Sequence, residues 1–343
     1  MRKFMFGNTG MEISRTGFGA LPIQRISFDA AKEILIRALD GGITFIDTAR
    51  MYSDSEEKIG YAISDRRDEY YIATKTHAKT GEELKGHLET SLKNLKTDHI
   101  DVYQFHNPSF VPVPGGEDGL YDAALEAKKQ GKIRFIGITQ HSIDLAFEAV
   151  NSGLYDTLQY PFNHLASERD IELVKLCKEK GVGFIAMKAL SGGLVTDASV
   201  PFSFLDEYDN VVPIWGIQRM GELEEILGYS ENPPEKTAEV AAKIEADRKE
   251  LVGSFCRSCG YCEPCPVGIP IRNANRMKQL MTRSPYKPYL SKAWQENMEK
   301  IADCTKCGAC AKKCPYELKP YETLAGQLAW YREFLKEHAD EAE

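Results

Sequence analysis

The sequence predicts an α/β protein, a (β/α)8 TIM barrel with an N-terminal hairpin, followed by a smaller, mainly helical, cysteine-rich domain. Two observations predict it. Eight short apolar runs alternate with amphipathic helical stretches over the first 230 residues. Eight of the nine cysteines then crowd into two short runs beyond residue 255.

The elements follow in order. Phe4-Met-Phe-Gly-Asn-Thr-Gly-Met-Glu-Ile reads as a hairpin that plugs the barrel floor. The apolar runs are Thr16–Ala20, Ile43–Ile46, Tyr70–Ala73, Ile100–Phe105, Ile133–Ile138, Asp156–Tyr160, Gly183–Met187 and Val211–Ile214. Each is short and rich in β-branched or aromatic residues, as a buried parallel strand requires. Between them lie helical patterns such as Ala30–Leu39, ended by Gly41-Gly42. The shortest crossover, Pro201–Tyr208, precedes the eighth run. Residues 1–230 are therefore read as the barrel and 231–250 as a linker helix running from Pro233 through Arg248. Residues 251–320 form the cysteine-rich domain, and 321–343 carry a final helix, Leu324–His338, drawn as folding back over the barrel.

A hydrophobic content of 43% and a charged content of 27% describe an ordinary globular chain. No apolar stretch approaches the ~20 residues of a membrane span. The net charge is −8, but residues 251–343 carry a surplus of three positive charges. No dense basic stripe accompanies that surplus, which argues against nucleic acid as a partner. The Met-Arg-Lys-Phe start lacks an apolar signal segment, so a cytoplasmic chain with reduced cysteines is expected, and a low-oxygen or anaerobic setting. Cys177, in the amphipathic run Ile171–Lys180, reads as a core thiol.

The two cysteine runs are Cys256-Arg-Ser-Cys-Gly-Tyr-Cys-Glu-Pro-Cys-Pro and Cys304-Thr-Lys-Cys-Gly-Ala-Cys-Ala-Lys-Lys-Cys-Pro. Thiolates at three-residue steps point into one small volume, and the closing proline stops the chain from continuing as helix. This is a ligand set for two 4Fe-4S clusters: Cys256, Cys259, Cys262, Cys265, Cys304, Cys307, Cys310 and Cys314. In two-cluster ferredoxins the fourth cysteine of each run ligates the other cluster. On that pattern Cys314 joins the first three and Cys265 joins Cys304, Cys307 and Cys310. The first run has two rather than three residues before its last cysteine, which leaves the crossing open. Two zinc sites are the competing reading, since paired C-x2-C motifs also bind zinc. Thirty-eight residues separate Cys265 from Cys304, with helical patterns at Ile271–Met281 and Lys292–Ile301. The tail therefore resembles the helical ferredoxin domains of multi-subunit reductases.

In (β/α)8 barrels chemistry sits at the C-terminal ends of the strands. Asp47 ends the second run and Tyr52 follows in the same loop; Lys75 ends the third and His106 the fourth. Reducing a carbonyl needs a proton donor for the developing alkoxide. A tyrosine with a pKa near 10 becomes effective when a neighbouring ammonium stabilises its phenolate. Lys75 can supply that charge, Asp47 can hold it, and His106 can orient the substrate oxygen.

The run Gly42-Ile-Thr-Phe-Ile-Asp-Thr-Ala-Arg-Met-Tyr, then Ser55-Glu-Glu-Lys-Ile-Gly, Ala73-Thr-Lys and Gln104-Phe-His-Asn resembles the aldo-keto reductase superfamily over roughly residues 1–228. With the tail, it resembles the subset bearing a C-terminal 4Fe-4S domain. The resemblance implies an Asp/Tyr/Lys/His tetrad, a small carbonyl or alcohol substrate, and NADP(H) or NAD(H) bound without a Rossmann domain. It places Thr139, Gln140 and Gln159 at the nicotinamide carboxamide. Met187, with Lys188 beside it, stands where the family has a stacking tyrosine. Arg219 is the only cation in the phosphate segment, next to a repelling Glu222. The loop from His106 through Gly116, and Trp215, are expected to line the substrate pocket. A hydride carries two electrons and a cluster accepts one, so FMN enters as a possible splitter, and a ferredoxin, flavodoxin or other redox protein as partner. Three readings compete: a reductase whose clusters relay electrons, a plain NAD(P)H-dependent aldehyde reductase with structural clusters, and a non-enzymatic electron-transfer or regulatory subunit.

Overall fold

The computed structural model describes residues 1–251, 256–283, 285–338 and 340. The chain divides into two compact units: residues 1–189 with 199–241, and residues 190–198 with 242–343.

The first unit opens with an antiparallel hairpin, β1 (Lys3–Met5) and β2 (Glu12–Ser14). Eight parallel strands then close a barrel: β3 (Gly17–Gly19), β4 (Phe45–Asp47), β5 (Tyr71–Thr76), β6 (Ile100–His106), β7 (Ile133–Thr139), β8 (Thr157–Pro161), β9 (Gly183–Met187) and β10 (Val211–Gly216). Every expected run is a strand, and β10 pairs with β3 to complete the ring. The helices are α1 (Phe28–Asp40), α2 (Ser55–Ile63), α3 (Gly81–Leu95), α4 (Leu120–Lys129), α5 (Ile143–Ser152), α6 (Glu168–Lys180), α7 (Ser199–Leu205) and α8 (Met220–Glu231).

Local sequence sets the helix ends. Ser27 caps α1 by accepting the Ala30 N–H, and Thr80 caps α3 through the Glu83 N–H. Ser167 and Asp170 form a reciprocal capping box on α6. Side chains on each strand alternate between the barrel interior and the helix layer. Phe45, Ala73, Val102, Ile185 and Val212 therefore meet inside the barrel, where Phe6, Met11 and Ile13 of the hairpin join them. The plug is seated by Asn8, whose N–H donates to the Gly181 carbonyl (2.7 Å) just before β9. Gly7 is required there, because a Cβ would stand 2.5 Å from the Gly181 oxygen.

The motif Ser55-Glu-Glu-Lys-Ile-Gly is structural. Glu56 is buried and accepts from Thr74 (2.7 Å), Ser91 (2.7 Å) and Arg50 (2.7 Å). Gly60 lets α2 approach α3, since a Cβ would lie 2.1 Å from the Asn94 oxygen. Cys177 is buried in α6, as expected.

The second unit contains most of α9 (Ala238–Leu251), then α10 (Ile271–Ala274), α11 (Met277–Arg283), α12 (Lys292–Glu299), α13 (Ala309–Lys312) and α14 (Pro320–Glu337). Helix α9 starts at Ala238 rather than Pro233. Two consecutive prolines cannot donate, and Thr237 accepts the Val240 N–H instead (3.2 Å). The single helix expected over Ile271–Met281 is broken at Asn275-Arg276, both buried and both bonded outside the helix. Ser284, between the two helical patterns expected from the sequence, lies outside the described residues. Helix α14 places Leu324, Leu328 and Tyr331 in this unit's own core with Ile271, Met277 and Met298.

Candidate active site and cysteine centre

The interior alternation carries straight to the mouth of the barrel. Phe45, Ala73 and Val102 face inward, so Asp47, Lys75, Gln104 and His106, an even number of residues further on, do as well. The same parity brings Thr139, Gln159 and Met187 inward on β7, β8 and β9, where Thr139 pairs in register with both His106 and Gln159.

Lys75 Nζ donates to both carboxylate oxygens of Asp47 (2.8 and 2.7 Å) and to the Thr48 carbonyl (2.6 Å), with both side chains buried. Burial pushes the Asp47 carboxyl up and the Lys75 ammonium down, and each opposes the other's shift through their mutual attraction. Lys75 Nζ stands 5.3 Å from the Tyr52 ring centroid. His106 meets the Tyr52 ring edge-on, centroids 5.9 Å apart. Burial and the nearby Lys75 charge hold His106 well below the usual histidine range, so its ring is neutral. The four predicted side chains thus form one constellation.

Three further groups join it. Gln104 Nε2 donates to Gln159 Oε1 (2.9 Å) and reaches toward Asp47 Oδ1 (3.5 Å), while Thr139 Oγ1 donates to Gln104 Oε1 (3.3 Å). Gln159 Nε2 stands 3.5 Å from Asp47 Oδ2. Gln104 is fully buried. The sequence reading passed over it, although a glutamine two residues before His106 inside an apolar strand was the available signal.

The remaining predicted contacts behave differently. Gln140 turns its Nε2 to the Pro108 carbonyl (2.9 Å), leaving Oε1 buried without a partner among the described residues. Met187 packs in the interior cluster at the end of β9. Lys188 follows it with a positive φ of 61°, and its carbonyl accepts from Asn163 (2.8 Å). Arg219 stands apart at the start of α8, paired with Glu222 (2.6 Å). Glu222 also accepts the Gln218 and Arg219 N–H groups (2.9 and 3.0 Å). Two amides at the approach to α8 are thereby taken up by the chain's own carboxylate rather than left for an anion.

The placement of Trp215 in the substrate pocket is corrected. Val212 and Ile214 take the inward positions of β10, so Trp215 points into the helix layer and stacks on Phe202 (5.5 Å, 11°). The loop after β6 is pinned by its carbonyls, with Pro112 accepting from Tyr155 (2.5 Å) and Pro108 from Gln140. It exposes Phe110 and Val113.

In the second unit Cys262, Cys265, Cys304, Cys307 and Cys310 line one cavity, with Val267, Ile269, Tyr321 and Leu324 as its apolar wall. Cys256 and Cys259 do not line that cavity but are near enough that their charges act on Cys262 and Cys314. Burial and these neighbours push the Cys262 thiol up to about 12. A backbone N–H lowers the Cys307 thiol, whereas burial raises those of Cys310 and Cys314 against the backbone N–H groups that face them. Among the described residues no three His, Cys, Asp or Glu side chains gather as a single metal ion requires. A cubane's ligands, each on its own iron, need not meet at one point. Soft, thiol-rich, apolar-walled and supplied with amide donors, this donor set fits iron–sulfur chemistry.

The model of the aldo/keto reductase family matches residues 15–202, more than half of the chain. The chain belongs to the aldo/keto reductase family. A 4Fe-4S dicluster domain model matches residues 255–319. As a member of the aldo/keto reductase family it is an oxidoreductase, here joined to an iron–sulfur domain. L-galactose dehydrogenase of Arabidopsis thaliana is 30% identical over 214 residues, covering 57% of this chain and 67% of that one. Aldo-keto reductase YhdN of Bacillus subtilis is 34% identical over 215 residues, covering 55% of this chain and 62% of its own. The solved structure of aldo-keto reductase AKR11C1 from Bacillus halodurans superposes with a TM-score of 0.62 over 72% of this chain and 96% of that chain. At 21% identity that likeness is one of fold. No described helix is long and apolar enough to cross a membrane.

Proposed function

We propose that this aldo/keto reductase interconverts a small aldehyde or ketone and its alcohol at Asp47, Tyr52, Lys75 and His106. The eight cysteines hold two 4Fe-4S clusters that exchange electrons with a ferredoxin, flavodoxin or similar partner. The observation that carries the first part is the buried Lys75 ammonium, clamped by both Asp47 oxygens and 5.3 Å from the Tyr52 ring.

In the reductive direction Tyr52 gives its proton to the carbonyl oxygen as negative charge develops there. The Lys75 charge stabilises the phenolate left behind, and Asp47 keeps that ammonium protonated and fixed against burial. The neutral His106 ring donates a hydrogen bond to the same oxygen and sets its orientation. Thr139 and Gln159 would hold the carboxamide of a nicotinamide, which supplies the hydride when bound. Because Glu222 takes the Gln218 and Arg219 amides and pairs the Arg219 side chain, the site favours NADH over a donor with a 2′-phosphate. The same observation supports cluster-linked reduction, with FMN as the group that would divide electron pairs.

The charge couplings of Cys256 and Cys259 with Cys262 and Cys314 favour those four as one ligand set, which leaves Cys265 to join Cys304, Cys307 and Cys310 in the cavity they share. The clusters supply single electrons when bound.

The deciding experiment is anaerobic purification with iron analysis and an absorbance spectrum, then titration with NADH, NADPH and FMN. Tyr52→Phe should lower carbonyl reduction by roughly 10²–10⁴-fold. Undiminished turnover in that variant would remove the tetrad reading. Undiminished turnover after iron removal would make the clusters structural.

A further inference from the structure

Arg276, in the turn between α10 and α11, is 3% exposed. Its guanidinium donates to the Gly192 carbonyl (2.8 Å) and reaches the Ser191 carbonyl (3.5 Å). Its Nε–H is buried without a hydrogen-bond partner among the described residues. The charges that favour the cation are those of Cys256 and Tyr289, and Arg272 opposes it; no described carboxylate contributes. Gly192 fixes the neighbourhood. With φ at +68°, it packs so closely that a Cβ would lie 3.3 Å from Arg276 Nη1 and 3.7 Å from the Ser258 Cβ. The guanidinium is thus held, on the second unit's own residues, against the first cysteine run.

A buried cation with only neutral carbonyl partners is unfavourable unless an anion compensates it. The neighbouring segment that could carry the compensating anion is the first cysteine run, whose Ser258 packs on the same Gly192. An oxidised 4Fe-4S cluster with four thiolates carries about two negative charges, and reduction adds a third. A fixed positive charge favours the more negative state. We propose that Arg276 is a potential-setting residue for the cluster bound at the Cys256 run, its guanidinium raising that cluster's reduction potential while leaving the other cluster unaffected. This rests on the reading of the cysteines as cluster ligands.

The test is an EPR-monitored redox titration of the anaerobically reconstituted full chain as wild type, Arg276→Lys and Arg276→Gln. In Arg276→Gln one midpoint should fall so that the reduced-to-oxidised ratio at fixed potential drops about tenfold, which is about 59 mV for a one-electron couple. The other midpoint should not move, and Arg276→Lys should retain most of the wild-type value. Unchanged midpoints in a fully loaded Arg276→Gln protein overturn the proposal. Equal shifts in the Lys and Gln variants also overturn it, because packing rather than charge would then be responsible. If Arg276→Gln loses iron, retention of both clusters by Arg276→Lys supports a charge role, and equal loss refutes it. Wild-type protein that takes up no cluster iron removes the ligand reading itself, a distinct outcome.

Discussion

The buried pair of Asp47 and Lys75 is the part of the site whose energetics can be worked furthest. At 2.7 Å the attraction is about 6 kcal/mol for an effective dielectric constant of about 20. Desolvation of both groups offsets much of that, so the pair adds little net stability. Removing one partner is different, because it strands the other in a dry barrel. Lys75→Met leaves Asp47 with only long contacts to Gln104 and Gln159 at 3.5 Å. Asp47→Asn leaves Lys75 with the Thr48 carbonyl as its one undisturbed partner at 2.6 Å. Each single variant should cost about 3–5 kcal/mol, or roughly 6–20 °C in the barrel's thermal transition. The double variant buries no charge at the pair and should cost at least about 3 kcal/mol less than the sum. Activity should follow another rule. Either single change should lower kcat/KM by roughly 10²–10⁴-fold, and the double should be no worse than the poorer single, because the two act as one device. Thermal melts and carbonyl reduction measured across the cycle decide it. Additive stability losses together with multiplicative activity losses would show that the pair is not the unit described.

Three further outcomes are expected. Gln104→Leu should strand the Gln159 and Thr139 side chains and cost about 1–3 kcal/mol; a melt unchanged from wild type would show that the network is idle. The His106 ring is held below its ordinary protonation range while the unfolded chain takes up a proton below pH ~6.5, so acidification from pH 7 to 5 favours unfolding by at most about 1.4 kcal/mol per pH unit. His106→Gln should flatten that acid slope, and an identical slope in both proteins would contradict the assignment. Gly60→Ala puts a methyl 2.1 Å from the Asn94 carbonyl oxygen and should destabilise the barrel by at least about 1–3 kcal/mol with the tetrad intact; a variant as stable as wild type would show that α2 and α3 separate without cost.

Much of the barrel was legible because its signals are local. A parallel strand buried on both faces must be apolar along its length, and each run is short and closed by polar or turn residues. The tetrad was legible for the same reason, since a strand end is a position in sequence before it is a position in space. Helix starts were read less well where proline chemistry intervened, as at Pro233-Pro234. The break at Asn275-Arg276 was invisible because its cause is the distant Gly192 carbonyl. Trp215 was misplaced by its proximity to a strand end. Only the inward facing of Val212 and Ile214 fixes its parity, and that parity sends it to Phe202.

By itself the sequence determined the strand count, the polar residues at the strand ends and the supply of eight thiols, because each follows from residue type at a fixed local spacing. The tertiary structure decided which side chains share a proton or a charge. Gln104 joins Asp47 and Gln159 only because closing the barrel turns β4, β6 and β8 toward one interior. Glu222 closes the α8 terminus by folding back on it. Arg276 is held beside the first cysteine run only because Gly192, more than eighty residues earlier in the sequence, packs against it. Burial turns such encounters into chemistry, since a charge removed from water must find its partner in whatever the fold has placed beside it.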